Sequence, residues 1–125
     1  LDAEFTTALG DCVTHDLVTG HAAFGYLADR YGFEQVSIAG VTPDQEPSPA
    51  TMADVTDFVR AHEITTIYTE TLVDPAIAAT IAAETGATTA VLDPLEGLTA
   101  ESAGTDYLTV MRTNLDTLVA GQSCD

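Results

Sequence analysis

The sequence contains no lysine, and its only basic side chains are three arginines set against 20 acids, a formal net charge of -17. A phosphate-gripping P-loop is therefore excluded, because its motif needs a lysine. A surface of this sign repels nucleic-acid backbones, so nucleic acid is excluded as a partner, while cations are drawn toward it. No apolar run approaches the roughly 20 residues that a membrane-spanning helix requires. The first β-α turn, Thr19-Gly20-His21-Ala22-Ala23, has a single glycine and so lacks the GxGxxG fingerprint of dinucleotide binding. There is no GxSxG nucleophile elbow, and neither cysteine neighbours a histidine at a strand end. These absences leave no common route to enzyme chemistry, and the expectation is a non-enzyme.

What the chain does contain is a steady alternation of strand and helix signals. Gly20 to Gly32, GHAAFGYLADRYG, reads as a strand end, a histidine at the turn, then a helix. Phe24, Leu27, Ala28 and Tyr31 recur at helical spacing as one apolar stripe, and Gly32 supplies the left-handed stop. Before it, Leu17-Val18 centres an extended segment within Val13 to Thr19. Gln35 to Gly40 reads as a second strand, Ile64 to Glu70 as a third and Thr88 to Leu92 as a fourth. Ser48-Pro49 and Asp74-Pro75 each pair a capping side chain with a proline, which predicts helix starts at both places. Met52, Val55, Phe58 and Val59 form the buried stripe of the first of these helices. In the second, Ile77 and Ile81 face inward and Gly86 stops the helix. Leu108, Met111, Leu115 and Leu118 predict the inner stripe of a last helix.

This β-α alternation with short connections predicts one three-layer α/β domain over residues 1–125, a Rossmann-like four-stranded parallel sheet with helices on both faces. Leu1 to Leu9 reads as the tail of a longer helix. Cys12 and Cys124 stand near opposite ends of the chain, and domain ends commonly lie close together. A disulfide between them is expected, which would place the protein outside the cytosol; the alternative is two unrelated thiols.

A parallel sheet delivers the residue after each strand to one edge, where ligands bind in such folds. That edge receives His21, the loop from Gly40 through Glu46, Glu70 and Asp93. An imidazole beside carboxylates suits zinc, manganese or iron, whereas magnesium is content with carboxylates alone. Each residue also has an ordinary role open to it. His21 could cap the helix, Asp93 could shape the turn before Pro94, Glu70 could pair with an arginine, and Glu46 could brace its loop. His15 precedes a strand and so lies on the wrong side; His62 ends a helix, exposed.

Five segments in order, GHAAFGYLADRYG, EPSPATMADV, IYTETLVDP, AVLDPLEGL and DYLTVMRTNLDTL, resemble the carboxyl-terminal lobe of the zinc/manganese solute-binding proteins of ABC importers. The resemblance runs from about Asp16 to Leu118. It implies two α/β lobes joined by a long helix, with the metal in the cleft between them; residues 1–9 would be the tail of that interlobe helix. It implies His21 and Asp93 as the third and fourth metal ligands, with Glu70 supporting them; the residues themselves put the pair at adjacent strand ends. The other ligands would come from an amino-terminal lobe, which the full site requires. It also tilts the cargo toward zinc, with manganese as the alternative, because some manganese-selective members have glutamate where His21 stands. The implied partner is the permease of the importer, and the location is extracytoplasmic, periplasmic or anchored at the cell surface. The rival expectation is a free-standing, adhesin-like interaction domain on the same scaffold.

Overall fold

In the computed structural model the described residues are 1–20, 22–38, 48–70, 75–93 and 106–124. Their order is α1 (Asp2–Ala8), β1 (Asp16–Thr19), α2 (Gly25–Tyr31), β2 (Glu34–Ser37), α3 (Pro49–Ala61), β3 (Thr66–Glu70), α4 (Ala76–Thr85), β4 (Thr88–Leu92) and α5 (Tyr107–Gly121). The four strands form one parallel sheet in the order β2-β1-β3-β4. The expected three-layer α/β architecture is present.

Two hydrophobic cores lie on opposite faces of the sheet, and the period-2 alternation of strand residues divides between them. Leu17, Tyr68 and Leu92 point to one face, where they meet Phe5 of α1, Ala28 of α2 and Leu115 and Leu118 of α5. Val18 and Ile67 point to the other, against Val55 and Val59 of α3 and Ala78 and Ile81 of α4. Side chains such as Phe5, Leu17, Ile67 and Leu118 are at most 1% exposed, and burying each contributes about 1.5–3 kcal/mol.

The helix ends follow local chemistry. The Ser48 hydroxyl accepts a hydrogen bond from the Thr51 amide at 3.1 Å, with Pro49 at the first helical position of α3. Gly32 and Gly86 close α2 and α4 in the left-handed conformation, each with φ of 80°. At the start of α4, Pro75 itself occupies the cap position and the helix begins at Ala76, one residue later than expected; Asp74 lies outside the described residues. The inner face of α5 also differs from expectation. It is Val110, Asn114, Leu115, Leu118 and Gly121, while Leu108 is half exposed. Val13 is exposed, and β1 starts only at Asp16.

The scarce arginines are spent on joints between helices. Arg30 donates to Asp2 at 2.9 Å and Tyr31 donates to the same carboxylate at 2.7 Å, tying α1 to α2. Arg112 makes a forked contact to Glu4 at 3.1 and 3.2 Å, tying α1 to α5. Arg60 of α3 donates to the Glu84 carbonyl of α4. At the chain ends Cys12 and Cys124 form the expected disulfide, flanked by backbone hydrogen bonds from Val13 to Ser123 and from Thr14 to Gln122.

Candidate metal centre

The strand order places the candidate residues more sharply than the chain order could. From β1 the chain passes to β2 on one side, then crosses to β3 and β4 on the other. The carboxyl ends of β1 and β3 therefore flank a topological switch point, the usual ligand crevice of an open α/β sheet. His21 follows β1, Glu70 ends β3 and Asp93 follows β4. Contrary to the expectation of adjacent strand ends for His21 and Asp93, β3 runs between the strands that lead to them. At roughly 4.8 Å per strand, the ends of β1 and β4 stand about 10 Å apart, with the end of β3 between them.

Glu70 stands in that intervening place. It is only 3% exposed, and its carboxylate lies directly against Gly20 at the end of β1. A methyl group at position 20 would stand 2.6 Å from its Oε2, so the missing side chain of Gly20 makes the room. The Gly20 amide donates to the Tyr68 carbonyl at 3.0 Å, which pins the end of β1 to β3 just before His21. Beside them, Thr19 is fully buried and its hydroxyl accepts from the Gln35 side chain.

Asp93 is 1% exposed. In register Glu70 pairs with Leu92, so Asp93 lies one residue past the level of Glu70 on the neighbouring strand. Its peptide is held by a side chain from α5. The Asp93 amide donates to Asn114 Oδ1 at 2.9 Å, and Asn114 Nδ2 donates to the Asp93 carbonyl at 2.8 Å. Glu70 and Asp93 are the two acidic side chains that are nearly completely buried among the described residues, and both lie on the carboxyl rim of the sheet.

His21 lies outside the described residues, as does Glu46 with the loop from Gly40. Among the described residues no three His, Cys, Asp or Glu side chains stand close enough to hold a metal ion. His15 and His62 are at the opposite, amino edge of the sheet. His15 immediately precedes β1 and faces the Phe33 ring. His62 stacks on Phe58 with ring centroids 4.1 Å apart, and its Nδ1 is 3.3 Å from Asp16 Oδ2.

Two supporting residues escaped sequence reasoning. Asn114 occupies the middle of an otherwise apolar helix stripe, which is the signal that could have found it. Gln122 is also 1% exposed; its Oε1 accepts from the Tyr68 hydroxyl at 2.8 Å, and its Nε2 donates to the carbonyls of Thr14 and Asp16. Burial pushes the Tyr68 hydroxyl well above the usual range of a tyrosine. This network joins the start of β1 and the middle of β3 to the end of α5, toward the amino edge of the sheet.

Comparison with known proteins adds a family. The model of the periplasmic zinc-uptake complex component A, ZnuA, matches residues 1–121. The zinc-binding protein AdcA of Streptococcus pyogenes serotype M6 is 50% identical over 120 residues, covering 94% of this chain and 23% of that protein. The high-affinity zinc uptake system protein ZnuA of Bacillus subtilis is 42% identical over 120 residues, covering 94% of this chain and 38% of that protein. Among solved structures, the laminin-binding protein Lbp of Streptococcus pyogenes superposes with a TM-score of 0.88 at 38% identity, over 97% of this chain and 47% of that one. The chain thus spans less than half the length of each of these relatives.

Proposed function

This chain belongs to the ZnuA family of zinc-uptake components, and on that premise we propose that it is the carboxyl-terminal lobe of an extracytoplasmic solute-binding protein that hands zinc to the permease of an ABC importer. His21 and Asp93 are its ligands to the ion, and Glu70 supports them from the strand between. The observation that carries the reading is the carboxyl rim at the switch point, where the Glu70 carboxylate is buried against Gly20, just before His21, and Asp93 is buried after the next strand, β4. Imidazole with carboxylate is a zinc donor set, which favours zinc over manganese, and the relatives named for zinc point the same way. The net charge of -17 adds a field that draws cations in. The lobe carries cargo and performs no chemistry. A disulfide fits a location outside the cytosol.

Two ligands make half of a tetrahedral site, so the remaining ligands come from an amino-terminal lobe across a cleft. Zinc added to the 125-residue chain in a calorimeter should bind weakly, and more weakly still after H21A or D93N. Submicromolar zinc binding by the monomer, or binding indifferent to both substitutions, would overturn the reading.

A second reading has one observation in its favour, the likeness to a laminin-binding protein. On that reading the chain is an adhesin-like extracellular module. Retention of the chain on immobilised laminin, unchanged by H21A and D93N, would favour it over metal delivery.

A further inference from the structure

We propose that Asn114 is a positioning residue for the metal site, acting through Asp93; the inference rests on the reading of Asp93 as a zinc ligand. Asn114 sits where the α5 stripe calls for an apolar side chain, one turn from Val110 and one turn from Leu118, and it is 1% exposed. A carboxamide buried there needs partners, and its two shortest bonds go to a single residue, with Met111 Sδ a longer contact of Nδ2 at 3.8 Å. Its Oδ1 accepts from the Asp93 amide at 2.9 Å and its Nδ2 donates to the Asp93 carbonyl at 2.8 Å.

The pair of bonds reproduces what a neighbouring strand would offer. β4 is the outer strand of the sheet on that side, and its last partner in the ladder is Glu70, opposite Leu92. Beyond Leu92 the Asp93 peptide groups are satisfied by α5 instead. Fixing the amide and the carbonyl on both sides of one Cα fixes the direction of its Cβ, and with it the arc that the carboxylate can sweep. Metal affinity depends on ligands being held in place before the ion arrives, and partners that hold them are worth about 10- to 100-fold in binding.

Only a carboxamide of this length supplies an acceptor and a donor in that spacing. An aspartate would keep the acceptor but set a carboxylate oxygen against the Asp93 carbonyl, and an alanine would supply neither. The helix that carries Asn114 is itself firmly seated, since Leu118 is fully buried and Gly121 packs directly on the Tyr68 ring. Asn114 thereby transmits the position of α5 to the rim.

The test is a double-mutant cycle on the 125-residue chain, titrated with zinc chloride and followed by amide NMR, with thermal unfolding measured alongside. N114A is expected to weaken zinc binding about 10- to 100-fold and to strip the Asp93 amide of its hydrogen-exchange protection. N114D preserves the volume, so it reports if N114A fails to fold; it should weaken binding over the same range. In a D93N background the further loss from N114A should fall to about twofold or less, because the residue acts only through Asp93. If D93N weakens binding while N114A and N114D bind zinc like the wild type, the inference fails and the ligand assignment stands. An equal loss from N114A in both backgrounds also overturns it, since Asn114 would then act through the fold at large. If D93N itself leaves binding unchanged, the assignment of Asp93 fails and takes the inference with it.

Discussion

Replacing both Cys12 and Cys124 with alanine tests how the ends of the chain are held. The bond links residues 112 positions apart, so nearly the whole unfolded chain is closed into one loop. In the chain-entropy model a loop of this length is worth about 5 kcal/mol at 25 °C. The folded state should barely notice the loss. Val13 and Thr14 still donate to the Ser123 and Gln122 carbonyls, the Cys124 amide still donates to Val119, and Gln122 still braces Thr14 and Asp16. A 125-residue chain has an unfolding entropy of about 0.26 kcal/mol/K, so the midpoint should fall by about 18 °C. Thermal unfolding by circular dichroism reads the shift, and reduction of the wild type should reproduce it. A drop of only a few degrees, with an amide spectrum unchanged away from the two sites, would refute the view that the bond acts by restricting the unfolded ensemble.

Other consequences follow from single residues. Tyr68 is held protonated by burial above its ordinary value of 10.0, so the unfolded chain releases that proton first as pH rises. Stability should be flat in this contribution below pH 10 and fall above it, and Tyr68→Phe should flatten the alkaline limb while losing the hydrogen bond to Gln122. Ser48→Ala removes the cap of α3 and should cost about 1 kcal/mol in chemical denaturation. Gly20→Ala and Gly121→Ala should both destabilise by overpacking, by about 1–3 kcal/mol. The second should cost more, because it meets the buried, hydrogen-bonded Tyr68 ring, whereas the first meets the end of the Glu70 side chain.

Much of this fold could be read from local signals because the physics behind them is local. Ser48-Pro49, Gly32 and Gly86 mark helix ends through groups a few residues apart, and Leu17-Val18 reveals its two faces by alternation. Strand order is not local, and so the interposition of β3 between the strands leading to His21 and Asp93 could not be foreseen. The same holds for Gly20, whose value lies in what it leaves open for a carboxylate 50 residues away. The buried face of α5 is centred on Val110, Asn114 and Leu118, and Leu108 lies on its flank, where helical spacing alone does not separate it from the stripe. Asn114 went unnoticed because an inward-facing polar residue has meaning only once its partner is known.

The account stands on His21 and Asp93 sharing a single ion across the end of β3. Crystals of the chain soaked in zinc and measured at the zinc absorption edge test this directly. One anomalous peak bonded to an imidazole nitrogen of His21 and a carboxylate oxygen of Asp93, each at about 2.0–2.2 Å, is the predicted result. A peak held by other side chains, or His21 and Asp93 engaging separate ions, would contradict it.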